Sequence, residues 1–280
     1  MSDESARHMR HAADLTERVT ALLEPLGGRT AVAAQRFGPL PGRAPADGDS
    51  LTSVGIRADE VFPAASLAKL PIAVELMRRA DMGQFDLRER FDVSGEPRAG
   101  GGGVLDFLDT DTRLTLAELC TLMLIVSDNT ASNYILDLVG MGEVNETVSR
   151  LKLQRTKLAR HFMDSAARAS GRENLTSAAD MLTLISLIRG NALPGGRRLR
   201  EMLLAQQSFR ELTEVWLPPS ASLAHKDGAL EGVVHDVGIV SGPGGVALYS
   251  VLTAEQGDTL AARAAVGQVL RLLWDDWRLG

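Results

Sequence analysis

Ser66 and Lys69 stand three residues apart in Phe62-Pro63-Ala64-Ala65-Ser66-Leu67-Ala68-Lys69, directly before the apolar run that starts at Leu70. A helix opened by Ser66 places its hydroxyl at the positive end of the macrodipole and Lys69 on the same face. A serine is a poor nucleophile until a base takes its proton, and a partly desolvated lysine can do so. The stretch therefore reads as an activated nucleophile. The pattern alone has little specificity, because Ser is a common N-cap and about one S-x-x-K arises by chance in a chain of this length. A second copy, Ser149-Arg150-Leu151-Lys152, is read as such a chance match.

Two further clusters lie downstream. Ser127-Asp128-Asn129 follows the apolar run Leu122–Val126, where it could equally be a helix stop and the N-cap of the next helix. His225-Lys226-Asp227-Gly228-Ala229 falls on a predicted strand leading to a turn, and in isolation is an exposed lysine before a bend. Taken in order, with 61 residues from Ser66 to Ser127 and 99 from Ser127 to Lys226, they match the set S-x-x-K, S-D-N and K-T-G. Over nearly its whole length the chain resembles the class A β-lactamase-like serine hydrolases.

That resemblance implies a role for each position. Ser66 is the acylated nucleophile and Lys69 its proton acceptor or a relay partner. Ser127 passes a proton to the leaving nitrogen, with the charge of Lys226 lowering the cost. Asn129 hydrogen-bonds the amide of the substrate. Beside Gly228, the backbone N–H groups of Ser66 and Ala229 form an oxyanion hole. The implied partner is a small-molecule amide, ester or β-lactam, with no cofactor.

Two departures from the family pattern stand out. Its deacylating glutamate lies in R-x-E-x-x-L-N, whereas no glutamate directly follows Arg160 in Thr156–Ala167. Asp164 is the nearest carboxylate and the candidate base, with Glu173 and His161 as weaker candidates. Asp227 stands where the family offers a Thr or Ser hydroxyl to a substrate carboxylate. A carboxylate there repels an anionic β-lactam by on the order of 1 kcal/mol or more. The leading reading is a metal-independent serine hydrolase acting through acyl-Ser66. Its alternatives are a cytoplasmic acyltransferase or tailoring amidase, a slow-turnover β-lactam-binding protein, and a non-catalytic sensor. Retention of Lys69, Ser127 and Lys226 speaks against the last.

The elements that must position these residues follow from periodicity and punctuation. Helices are predicted over 4–26, 66–80, 115–126, 130–139, 143–151, 176–189, 197–206 and 258–278, and strands over 30–38, 51–56, 222–226, 236–241 and 246–253, with a loop at 39–49. The fold class is α/β (α+β): a mainly antiparallel sheet built from both chain termini, with an inserted all-α domain. The expected division is residues 1–65 with 213–280 against 66–212, and the site is expected in the cleft between them.

Composition narrows the remaining classes. A net charge of -6 without a Lys/Arg run argues against nucleic acid or an anionic membrane. No stretch approaches the ~18 apolar residues of a membrane span. Early acids and no apolar segment at the N-terminus lead to the expectation of a cytoplasmic protein, taken as a monomer. Cys120, the only cysteine, excludes an internal disulfide and is expected to be a buried, inert thiol. Trp274 and Trp277 read as packing residues. His235-Asp236 invites a triad, but no G-x-S-x-G accompanies it, and the five histidines lack metal-ligand spacing. Gly100–Gly103 lacks the lysine of a phosphate loop, and the glycine-rich turn at 242–245 precedes a strand instead of a helix.

Overall fold

The computed structural model describes residues 3–37, 53–95, 97–108, 113–208 and 213–280. The expected loop at 39–49, the first two residues of the strand at 51–56 and the division point at 212 lie outside the described residues. In chain order the elements are α1 (Asp3–Leu23), β1 (Arg29–Phe37), β2 (Ser53–Ile56), β3 (Phe62–Pro63), α2 (Lys69–Asp81), β4 (Arg90–Asp92), β5 (Arg113–Thr115), α3 (Leu116–Ile125) and α4 (Asn129–Val139). They continue with α5 (Met141–Arg150), α6 (Ser165–Ala169), β6 (Leu175–Thr176), α7 (Ala178–Arg189), α8 (Gly196–Leu204), β7 (Ser222–Leu230), β8 (Val233–Gly242), β9 (Gly245–Ala254) and α9 (Thr259–Asp276).

The main sheet has the order β2-β1-β9-β8-β7, antiparallel throughout. Both chain ends build it, as the distribution of strand signals requires. Its strands are apolar on two sides: Val237 and Ile239 of β8 face the core shared with the helices, while Val234 and Val240 face the layer formed by α1 and α9. Trp274 and Trp277 are buried in that second layer, in the packing role expected of them. Cys120 is fully buried, and burial pushes its thiol up to about 12, which leaves it inert.

Two elements differ from expectation near the site. Ser66 does not open an α-helix. It lies in a 3-10 turn over Ala65–Ala68, and α2 begins at Lys69. Pro71 fits there because the first helical turn has no use for its missing N–H. The strand expected to end at Lys226 runs on to Leu230, so the whole segment His225–Ala229 lies on β7.

From Leu70 to Met77 every side chain of α2 is buried, including Glu75. Its carboxylate accepts from Arg78 at 2.8 Å, Arg79 at 2.7 Å and Thr147 of α5 at 2.6 Å. Burial alone would raise its pKa, but these hydrogen bonds hold it down at about 2. A depressed carboxyl pKa adds stability above its ordinary value of 4.5, and that stability is lost as pH falls towards 2. Denaturant titrations should show wild type losing on the order of 2–3 kcal/mol across this window. Glu75→Gln should lack that stability at neutral pH and show a flatter profile; an unchanged profile removes Glu75 from the account.

Candidate active site

The turn carrying Ser66 is held from several sides. Ala65 adopts φ 47°, a left-handed conformation that strains any residue with a Cβ. One residue earlier, the N–H of Ala64 donates to the carbonyl of Asn174 at 2.6 Å. His235 on β8 donates from Nε2 to the carbonyl of Pro63 at 2.7 Å and accepts from the N–H of Thr253 at Nδ1, 3.1 Å, so the hydrogen-bond network assigns the Nε2–H tautomer. On β7 a Cβ at Gly228 would come within 3.3 Å of Ala65 and 3.4 Å of His235. Glycine there lets the edge strand approach the nucleophile turn.

Lys69, first residue of α2, is completely buried. Its Nζ lies 3.1 Å from Ser66 Oγ, 2.9 Å from Ser127 Oγ, 2.5 Å from the Ser127 carbonyl and 2.8 Å from Asn129 Oδ1. Four partners exceed the three protons of an ammonium. Two of them, the carbonyl and the amide oxygen, can only accept, whereas the hydroxyls can donate. Either state can serve three of the four at once: an ammonium through three N–H bonds, a neutral amine through two N–H bonds to the acceptors and its lone pair to one serine O–H. Burial, followed by the nearby charge of Lys226, drives the Lys69 pKa well below its ordinary value of 10.5. The geometry accommodates the neutral amine that this electrostatic environment favours.

Ser127 reaches Lys69 through a second left-handed residue conformation, φ 56°. Asp128 is the N-cap of α4, accepting from Ala131 N at 2.9 Å, so the helix-stop reading of this motif is correct as well. Its Oδ2 also accepts from Val104 and Leu105 N–H groups at 2.7 and 2.8 Å, and any Cβ at Gly103 would collide with it. One aspartate therefore caps the helix and folds the glycine loop over the site. Asn129 spends both ends of its amide internally, accepting from Lys69 and donating to the Gly100 carbonyl at 2.8 Å.

On β7, Lys226 is fully buried and gives its described hydrogen bonds to Asp227: Oδ1 at 2.7 Å and the carbonyl at 3.0 Å. Among the described contacts it touches neither Ser127 nor Ser66. Its effect on the centre runs through its field at Lys69. Asp236 points to the opposite side of β8 from His235 and accepts from Tyr249 at 2.7 Å, Thr213 at 3.1 Å and His225. The adjacent pair His235-Asp236 therefore forms no triad with Ser66.

The segment from Arg160 to Asn174 forms the facing wall. Arg160 closes it by pairing with Glu173 at 2.7 and 2.8 Å, and the side chain of Asn174 accepts from the N–H groups of Ala159 and Arg160. Glu173 borders the cavity but is tied to Arg160, and His161 is paired with Asp137 at 2.7 Å. Asp164 borders the cavity and caps α6 through Oδ1, with no hydrogen bond described at Oδ2. Phe162 sets its ring 4.8 Å from Lys69 Nζ, next to the amine. Sequence reasoning missed Phe162, Asn174 and Gln206, which donates to Asp227 at 2.9 Å.

Together these walls enclose a cavity of about 520 Å³ bordered by Ser66, Ser127, Asn129, Phe162, Asp164 and Asp227, with Ala229 alongside. Among the described residues, no cluster of three or more His, Cys, Asp or Glu side chains could hold a metal. A family model described as the beta-lactamase enzyme family matches residues 14–277. The chain belongs to the β-lactamase enzyme family. A beta-lactamase of Streptomyces albus G is 31% identical over 242 residues, spanning 78% of this chain and 76% of that protein. The beta-lactamase regulatory protein BlaB of Streptomyces cacaoi is 26% identical over 276 residues, spanning 80% and 88%. The crystal structure of a beta-lactamase from Sphaerobacter thermophilus DSM 20745 superposes with a TM-score of 0.80 at 27% identity, covering 95% of this chain and 97% of that one. The family and class A fold expected from the three motifs are borne out, and with them the reading as a serine β-lactamase-like hydrolase.

His235 yields a test of how this β-lactamase-family scaffold holds the nucleophile turn. Burial lowers its pKa from 6.5 to about 4, partly offset by its bond to Pro63. The neutral ring stabilises the fold fully above pH 6.5, and that stability is lost as pH falls towards 4. Unfolding free energies from denaturant titrations should fall between these pH values by up to about 3 kcal/mol in wild type and much less in His235→Gln. Parallel profiles for the two proteins would contradict this positioning role.

Proposed function

We propose that the chain cleaves a small amide or ester, with β-lactams as the first substrate class, through an acyl-Ser66 intermediate. The observation that carries this reading is the buried Lys69 amine in contact with both Ser66 Oγ and Ser127 Oγ. Lys69 accepts the Ser66 proton as Oγ attacks the carbonyl carbon. The N–H groups of Ser66 and Ala229 stabilise the resulting oxyanion. The proton then passes from Lys69 through the Ser127 hydroxyl to the leaving nitrogen or oxygen, which departs as the C–N or C–O bond breaks. Lys226 keeps a positive field at this relay without touching it.

Release needs a base for water. Glu173 is held by Arg160 and Arg168, and Asp227 by Lys226 and Gln206. Asp164 borders the cavity with no ion pair among the described residues, so it is assigned this step. Phe162 occupies the wall beside Lys69 with a group that can move no proton, which makes deacylation the slower half of the cycle. No helix among the described residues is long and apolar enough to cross a membrane.

Intact-mass spectrometry after mixing with a chromogenic cephalosporin or an activated ester is the direct test. Wild type should gain one acyl adduct and Ser66→Ala none; no wild-type adduct, or an equal adduct in Ser66→Ala, rejects the acyl-enzyme reading. Asp164→Asn should prolong the adduct by roughly 10²-fold. Unaltered decay removes Asp164 from the mechanism.

A further inference from the structure

The wall by β7 carries chemistry that the acyl-transfer steps leave unused. Lys226 is enclosed, and its described hydrogen bonds end on Asp227, so its ammonium offers the cavity no direct contact. Asp227 itself borders the cavity. Its Oδ1 accepts from both Lys226 and Gln206, while no described hydrogen bond reaches Oδ2. The Gln206 amide cannot turn round to present its oxygen instead, because Oε1 already accepts from the N–H groups of Gln207 and Ser208 at 2.9 and 3.2 Å. The carboxylate is thus fixed by two donors with one acceptor oxygen left over. Of the cations elsewhere on the cavity wall, Arg160 and Arg168 are both paired with Glu173. Arg263 lies behind this wall, where it borders a separate small pocket with Asp227 and interacts with its charge, so the cavity side presents the Oδ2 acceptor without a cation beside it.

Building on the acyl-enzyme reading above, we infer that Asp227 makes this cavity select substrates that present a hydrogen-bond donor at the β7 wall and reject those that carry a carboxylate there. The donor class is an amide N–H, a hydroxyl or an ammonium group. A substrate carboxylate at that position would meet an ionised oxygen whose own counter-ion is already engaged, and like charges facing each other in a partly dry site repel strongly. A donor would complete the coordination of Oδ2. Asp227 acts here on substrate choice, and Ser66, Lys69 and Ser127 carry the bond changes.

The experiment uses three probes on the full chain: a chromogenic cephalosporin with its free ring carboxylate, the same compound as the primary carboxamide, and an uncharged activated ester. Acylation rate constants are read by stopped flow and intact mass. Wild type should react roughly tenfold or more faster with the carboxamide than with the acid. Asp227→Ser and the near-isosteric Asp227→Asn should shift that ratio towards the acid by about the same factor. Two substitutions guard against a folding defect, and each variant is used only after its thermal melt shows a folded chain. Equal or faster acylation of wild type by the acid overturns the inference, as does a ratio that neither variant moves. If the activated ester labels Ser66 and the carboxamide shows no preference, only the Asp227 inference fails. Silence from all three probes takes the acyl-enzyme reading down with it.

Discussion

A lysine amine held out of water between two serine hydroxyls is the constraint on which the rest of this structure depends. Burying a charged amine without a carboxylate partner is costly, and shedding the proton removes that cost. The chain surrounds Lys69 with a carbonyl, an amide oxygen and two hydroxyls, a set without a charge of its own that leaves a neutral amine able to take a serine O–H. Each of those partners is in turn held by something else. Ser127 depends on a left-handed backbone, Asn129 on the glycine loop, and that loop on Oδ2 of Asp128.

The sheet performs the complementary task. Its edge strand β7 brings Lys226 behind the centre as a field and Asp227 beside it as a surface, while β8 pins the chain just before Ser66 through His235. The loop from Arg160 to Asn174 closes the third side and is stapled to Ala64. Three separate stretches of chain thus converge on a turn of four residues. Strain at Ala65 and Ser127 is tolerated because this surrounding packing over-determines both backbones.

Much of this was legible in the chain itself. Apolar periodicity located every helix but the five-residue α6, and the three long C-terminal strands, because burial on one or both faces dictates the pattern directly. The three motifs located Ser66, Lys69, Ser127 and Lys226, since the proposed nucleophile, base and relay each demand a particular residue type. What stayed hidden was pairing between distant residues. Glu173 read as a spare carboxylate until its bond to Arg160 was seen, and Asp227 read as a bare negative charge until Lys226 and Gln206 were found on one of its oxygens. Phe162 carried no signal at all, because an aromatic residue beside an active amine looks like any core residue in sequence. The start of α2 was misplaced by three residues, for a 3-10 turn and an α-helix share the same local preferences.

The protonation state of Lys69 is the claim from which the mechanism follows. The chain contains four lysines, Lys69, Lys152, Lys157 and Lys226, few enough for each to be followed by NMR after isotopic labelling of lysine side chains. Titrating the free protein and the Lys69→Arg variant assigns one signal to Lys69 by its loss. The account predicts that this signal loses its proton well below the ordinary amine value of 10.5, so that the resting site holds a neutral base. A Lys69 signal that titrates in the ordinary amine range would contradict it.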